Sequence, residues 1–211
     1  RIMPAATDNV GSQSVAIAAV HPAEPSDVAQ IDRIQRLVWQ VGYASLLPTG
    51  LRDTLAALDP TDTAATWERT RAHGPAKLFV ATEGDWTVGF CSAGFAPDDD
   101  VADQHGTLPD DAATVALIGS LVVEPRWGRR GHGGRLLATA THELRQRGAT
   151  RGITWILDGD AVSRAFYARI GWQPDGIARR LDAAGHPLRE IRLAGDLDLT
   201  WKSEADEVTP G

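Results

Sequence analysis

V-A-L-I-G-S-L-V-V-E-P-R-W-G-R-R-G-H-G-G-R-L-L-A-T-A-T-H-E-L-R-Q-R-G, residues 115–148, is the stretch whose reading decides the fold. It divides into three. Residues 115–123 form an almost unbroken apolar run rich in β-branched side chains, the pattern of a strand buried on both faces. Pro125 has no N–H to donate and ends the ladder. Gly128, Gly131, Gly133 and Gly134 make a loop whose backbone can pass where a Cβ would clash. From Gly133 the period turns helical: Leu136, Leu137, Ala140 and Leu144 recur at three- and four-residue spacing, and Gly148 is a C-terminal stop. A strand, a glycine loop and a helix start together form an anion site. The first helical N–H groups lack internal partners, and the macrodipole adds about half a positive charge there. Arg126, Arg129 and Arg130 add full charges, so a phosphate or pyrophosphate suits the loop. A plain tight turn with solubilising arginines is the other reading.

Two familiar phosphate loops do not match. A Walker loop closes on G-K-[ST], and here the helix opens with Gly133-Gly134-Arg135. A dinucleotide fingerprint has a third glycine where this chain has Leu136.

Working outward, 211 residues suffice for one domain with a full core. Residues 15–198 are expected to form it, with flexible tails at 1–14 and 199–211. With 21 basic and 28 acidic residues the net charge is −7, which speaks against nucleic acid as the main partner. The single cysteine, Cys91, excludes a disulfide framework and a thiolate metal site, and reads as a small buried hydrophobe. No apolar run reaches membrane-spanning length and no signal sequence is evident, so neither a membrane nor a metal is expected and a cytoplasmic setting is.

Before the central strand, residues 15–20 suit a first strand. Residues 27–39 suit a helix, with Val28, Ile31, Ile34, Leu37 and Val38 on one stripe and Ser26 or Asp27 as cap. Residues 51–58 and 63–73 suit short helices, the second capped by Asp62 or Thr63. Residues 77–82 and 86–95 flank a Glu83-Gly84-Asp85 turn as a hairpin. Residues 97–113 carry six aspartates and read as a solvated acidic loop, with steering of a cationic partner as the alternative. After the central helix, residues 151–157 suit a strand, capped onward by Asp158 or Asp160. Residues 162–170 suit a helix with Val162, Ala165, Phe166, Arg169 and Ile170 on its apolar side, which leaves Tyr167 off the stripe. Strand follows from Trp172, and residues 177–181 and 188–193 make a closing hairpin. The sum is an α+β fold: a mixed, mostly antiparallel central sheet with helices on both faces.

The segment L-V-V-E-P-R-W-G-R-R-G-H-G-G-R-L-L resembles the acetyl-CoA-binding motif of GCN5-related N-acetyltransferases, V-x-P followed by [QR]-x-x-G-x-[GA] and a helix. Gly128 stands where that family has Gln or Arg. The resemblance runs over about residues 15–196 and implies the family's fold. It implies an acetyl-CoA cosubstrate held by Leu121, Val122, Val123, Arg129, Arg130, Gly131, His132, Gly133, Gly134, Arg135, Asp160 and Phe166. It further implies transfer of an acetyl group to a primary amine of a small molecule or peptide. In S-R-A-F-Y-A-R-I-G-W it places Tyr167 in the role of the acid that protonates the leaving sulfur. Asp160 replaces the family's usual Asn, and capping is its safer role. In W-x-x-x-Y-x-x-x-x-P the family lines its acceptor side. Here Trp39 reads as a core aromatic, and Tyr43 as either core or acceptor contact. The family's frequent Glu on the central strand is Leu117 here. Deprotonation is therefore expected through water and backbone carbonyls, or by an acid from elsewhere such as Glu83. That missing base keeps a second class open, a non-catalytic acyl-CoA-binding sensor or scaffold. A homodimer is also open.

Overall fold

The protein is described here by a computed structural model covering residues 17–199. The expected N-terminal tail lies outside the described residues, as does the C-terminal one beyond Leu199.

The chain begins with β1 (Ala18–Pro22), three residues later than 15–20, and Val15 lies outside the described residues. α1 (Val28–Leu37) follows a single 3₁₀ turn, Pro25–Asp27. It runs into a π-helical turn, Val38–Gly42, that periodicity did not signal. Such turns accommodate an extra residue within a helix and often mark functional sites. α2 (Thr49–Ala56) and α3 (Pro60–His73) come next. The cap of α3 is Asp59, whose carboxylate accepts from Thr61 N at 2.7 Å; Pro60 at the first position explains the earlier start.

β2 (Lys77–Glu83) and β3 (Trp86–Phe95) pair around Gly84, as the hairpin pattern predicts. The acidic segment is largely exposed, as a solvated loop should be, but it includes a single helical turn, α4 (Asp98–Val101), and two of its aspartates are paired: Asp100 with Arg179 at 2.6 Å and Asp111 with Arg151 at 2.6 Å. β4 (Val115–Val123), α5 (His132–Gln146), β5 (Arg151–Leu157), α6 (Ala161–Arg169), β6 (Gln173–Ala183) and β7 (His186–Asp196) complete the order.

The seven strands form one sheet in the order β1-β2-β3-β4-β5-β7-β6, antiparallel except for β4 with β5. α1 and α3 cover one face, with Ile31, Ile34 and Val38 packed on Leu78, Val80 and Phe90. α5 covers the other, burying Leu136, Leu137, Ala140 and Leu144 against Phe79, Cys91, Ala116 and Ile118. Trp172 is fully buried beside it, donating from Nε1 to Asp196 O at 2.8 Å. Gly152 and Gly195 make room for its indole, since a Cβ at either would overlap the ring.

The sheet opens at one place. β3 and β4 pair in register until Ser92 faces Ser120 but Ala93 faces Ile118, so Gly119 is an extra residue, a bulge on β4. β4 and β5 pair from Val115 with Arg151 only as far as Ile118 with Thr154. Beyond the bulge they part. Gly119 is therefore exposed, and Ser120, Leu121 and Val123 only half-buried, where a strand buried on both faces was expected.

Candidate active site

The parting of β4 and β5 leaves a cleft of about 380 Å³. One wall is the free edge of β4 from Gly119 to Val122, and the opposite wall is β5 from Thr154 to Leu157. Backbone groups along these edges have no ladder partner across the gap and remain for a guest, apart from Ile118 O, which accepts from the Thr154 hydroxyl at 2.8 Å. α6 and its cap close one end with Asp160, Ser163 and Tyr167. The π turn and α3 supply Trp39, Tyr43 and Trp67.

Tyr167 sits in this cleft, but not by the expected route. The expected stripe holds only in part: Phe166 and Ile170 pack inward, but Val162 is 82% exposed, and Tyr167, 3% exposed, is the one buried residue of α6. Four-residue periodicity missed Tyr167 because so short a helix presents only a few residues to the sheet. The ring stacks on Trp172 (centroids 5.4 Å, 26° between planes) and meets Phe166 edge-on. Burial pushes the phenol well above its ordinary value, Cys91 adds to this, and a hydrogen bond with Thr154 pulls partly back. Tyr167 therefore carries its proton throughout the neutral range and can only donate it.

Tyr43 also lines the cleft. Burial first, then the negative charges of Asp160 and Glu190, push its phenol up to about 12. Trp39 was expected in the core and is instead a half-buried cleft residue, because the π turn rotates it off the packed stripe of α1. Asp160 is the cap of α6, accepting from Ser163 N at 3.0 Å and Ser163 Oγ at 2.6 Å. Glu190 reaches the cleft from β7, with Oε2 accepting from Arg179 Nε at 2.7 Å. Gln35, Trp67, Trp155 and Glu190 carried no signal in the sequence as site residues. They arrive on four separate elements, and only the assembled sheet brings them together.

The glycine loop follows β4. A 3₁₀ turn, Pro125–Trp127, leads into it, and α5 starts at His132 with Gly131 at φ 81 and Arg129 at φ 62. Left-handed backbone at these positions turns consecutive N–H groups to one side, a concavity suited to an anion. A Cβ at Gly133 would stand 3.4 Å from Phe166, in ordinary contact, so the helix start packs directly beside α6. Leu121 and Val122 border the cleft, and Val123 lies beside Gly133.

Side chains of the loop divide. His132 is only 2% exposed, with Nε2 2.7 Å from Glu83 Oε2 and Nδ1 3.4 Å from Arg135 Nη1, so only its backbone can meet a guest. Arg130 donates to Glu83 Oε1 at 2.9 Å and lies 4.8 Å over Trp127. Arg126 is ion-paired with Glu124 and stacked on Trp86. Glu83 is thus committed to the loop. Its partial burial would raise its carboxyl, but hydrogen bonds from His132 and Arg130 outweigh that and hold it below the usual range. It is not among the cleft residues, which overturns it as a candidate base. Among the described residues no His, Cys, Asp or Glu cluster could hold a metal ion, and no helix is long and apolar enough to cross a membrane.

Solved structures share this fold. The fold matches the PaiA N-acetyltransferase from Thermoplasma acidophilum in complex with coenzyme A at 12% identity, covering 85% of this chain and 99% of that one, with a TM-score of 0.62. It matches yncA from Salmonella typhimurium with its cofactor acetyl-CoA at 18% identity, 90% and 99% coverage and a TM-score of 0.61. A ribosomal-protein-alanine N-acetyltransferase from Brucella melitensis matches at 20% identity, 84% and 99% coverage and a TM-score of 0.62. No curated protein matches the sequence. The model of the acetyltransferase (GNAT) family matches residues 41–172, a span that takes in Tyr43, the bulged strand, the glycine loop and Tyr167. The chain belongs to the acetyltransferase (GNAT) family.

Proposed function

We propose that the protein is an acetyl-CoA-dependent N-acetyltransferase that acts on a primary amine. The observation that carries this is the coincidence of three features at one opening: the free β4 edge, the glycine loop at its end, and a buried, protonated tyrosine in the cleft beyond.

The residues fit a CoA. A pyrophosphate suits the N–H groups of residues 129–134, where Gly131 permits the left-handed turn and no side chain from His132 intrudes. Arg129 adds charge, and Arg135 and Arg130 brace the loop, since Arg135 Nη1 donates to Arg130 O at 3.2 Å. Leu121, Val122 and Val123 offer the strand edge along which an extended arm can hydrogen-bond. Phe166, packed on Gly133, and Asp160, as cap, position the start of α6 beside it. Bound there, acetyl-CoA would supply an activated thioester.

The chain's own residues supply the rest. Amide formation from a thioester requires a neutral amine, a polarised carbonyl and a proton for the leaving sulfur. Unpaired β4 N–H groups can polarise a carbonyl. Tyr167 holds a proton at Oη in a site that favours the neutral phenol, which suits a general acid. β4 carries no carboxylate, and of the cleft carboxylates Asp160 serves Ser163 and Glu190 serves Arg179, so the amine proton leaves through water held by the free carbonyls of the cleft.

The test is thiol release from acetyl-CoA across a panel of amines. Amine-dependent release above the amine-free rate is expected. Tight CoA binding without any such release would refute transfer in favour of a sensor or scaffold.

A further inference from the structure

The walls of the cleft exceed what acetyl transfer needs. Three of the seven tryptophans, Trp39, Trp67 and Trp155, line it, together with both tyrosines of a chain that is only 6% aromatic. These rings are held in place rather than loose. Trp67 packs edge-on against Phe90 at 5.1 Å, and the Arg179 guanidinium lies 4.1 Å over Trp155. Walls fixed beforehand lose little entropy on binding a flat guest.

The charges have one sign. Asp160 and Glu190 are the charged residues of the lining, and no Lys, Arg or His joins them. Arg179 is turned onto Trp155 and held by Glu190 and Asp100. A carboxylate or phosphate on the acceptor would meet Asp160 and Glu190 with no cation in the lining to pair it, since the Arg179 charge is already shared by Glu190 and Asp100. A sugar-like acceptor would leave many hydroxyls facing aromatic rings. An ammonium, by contrast, is drawn by both carboxylates and by aromatic faces.

We infer that the acceptor is an arylalkylamine: a primary amine on a short chain joined to a flat apolar ring, bearing no carboxylate or phosphate, with its ring among Trp39, Tyr43 and Trp67 and its nitrogen on the side of Asp160 and Tyr167. This rests on the transferase reading above and narrows its acceptor. In the transfer the amine gives up one proton and gains the C–N bond, while the C–S bond of acetyl-CoA breaks and the departing sulfur takes one proton.

Phenethylamine and phenylalanine differ only by a carboxylate, which makes them the decisive pair, with putrescine and an alanine-led tetrapeptide as contrasts. Two readouts are taken on the full chain: calorimetric binding in saturating CoA, where no chemistry occurs, and thiol release with acetyl-CoA. The expected kcat/KM for phenethylamine exceeds that for phenylalanine by about 100-fold or more, the size of like-charge rejection. Glu190→Gln should narrow that ratio by about tenfold through better use of phenylalanine, since it removes one of the two repelling charges. Trp67→Phe, which keeps a smaller ring in place, should weaken phenethylamine more than putrescine and so narrow the ratio between them. Phenylalanine used as well as phenethylamine, or preference for putrescine or the peptide, overturns the inference and leaves the transferase reading intact. Selective binding of phenethylamine without thiol release upholds the inferred recognition and refutes the transferase reading.

Discussion

Replacing Tyr167 by Phe isolates one proton. The substitution keeps the ring that stacks on Trp172 and meets Phe166, so the packing of α6 on the sheet is retained. What is lost is a buried hydroxyl that hydrogen-bonds with Thr154. Thr154 keeps its own bond to Ile118 O at 2.8 Å, so no donor is orphaned on the protein side. The stability cost is then that of one neutral hydrogen bond, about 1 kcal/mol, or a fall of about 2–4 °C in Tm for a domain of this size. Turnover should fall further, by about 10²-fold, equal to about 2.7 kcal/mol of transition-state stabilisation from a single general acid. CoA affinity should hold, because the cofactor's charged groups are expected on the glycine loop. The assay is turnover with a competent amine, CoA calorimetry and a melting curve on one preparation. Undiminished turnover refutes the acid role. A joint collapse of CoA affinity and Tm would instead mean that the hydroxyl organises the cleft, and the reasoning from geometry would be wrong.

Other outcomes follow from the same geometry. Because burial raises the Tyr167 phenol, the folded state keeps a proton that the unfolded chain loses above about pH 10. Its contribution to stability is therefore complete below that pH and lost above it, and a pH–rate profile should climb with the neutral fraction of the amine and show no falling limb from Tyr167 below pH 10. Gly131→Val forces a β-branched residue to φ 81 in the pyrophosphate loop, and calorimetry should show CoA binding weakened tenfold or more, about 1.4 kcal/mol. Arg129→Ala should weaken CoA more than Arg130→Ala, since Arg130 already serves Glu83; equal losses for a CoA analogue without phosphates would mean that both act through the fold. Gly195→Ala drives a Cβ into the Trp172 indole and should cost about 1–3 kcal/mol of overpacking, read as a drop in Tm with activity retained at low temperature.

Local pattern and global assembly carried different parts of this structure. β3, β4 and β5 stand where alternation and apolar runs placed them, because a strand's period is read from its own residues. The glycine loop was equally legible, since Gly131 is needed for the conformation it adopts whatever surrounds it. Tyr167 lies in the cleft, where the family motif leads one to look, but the helical stripe did not foresee its burial. Of that stripe Phe166 and Ile170 pack inward while Val162 points to solvent, so the period of so short a helix decides only part of its face. Trp39 failed similarly: i, i+4 spacing presumes an α-helix, and the π turn at Val38–Gly42 breaks that register.

The acceptor side was illegible for a deeper reason. Its character depends on which way two strands part, and that depends on one extra residue, Gly119, opposed to Ser92 across β3. Nothing in V-A-L-I-G-S-L-V-V distinguishes a bulge from an interruption, because the bulge is defined by the partner strand. Once it exists, β5 keeps β7 on one side but has no neighbour on its β4 side beyond Thr154, and Trp155, Ile156 and Leu157 line the cleft. Glu190 then faces the same space because β7 pairs Ile191 with Ile156 and Glu190 with Leu157. A residue more than seventy positions from the bulge thus becomes part of the site through strand register alone. The glycine loop, proposed above as the donor side, is encoded locally, in residues 128–134 and the left-handed turn they permit. The acceptor side is encoded by registers across β3, β4, β5 and β7, which lets its chemistry change without touching the loop.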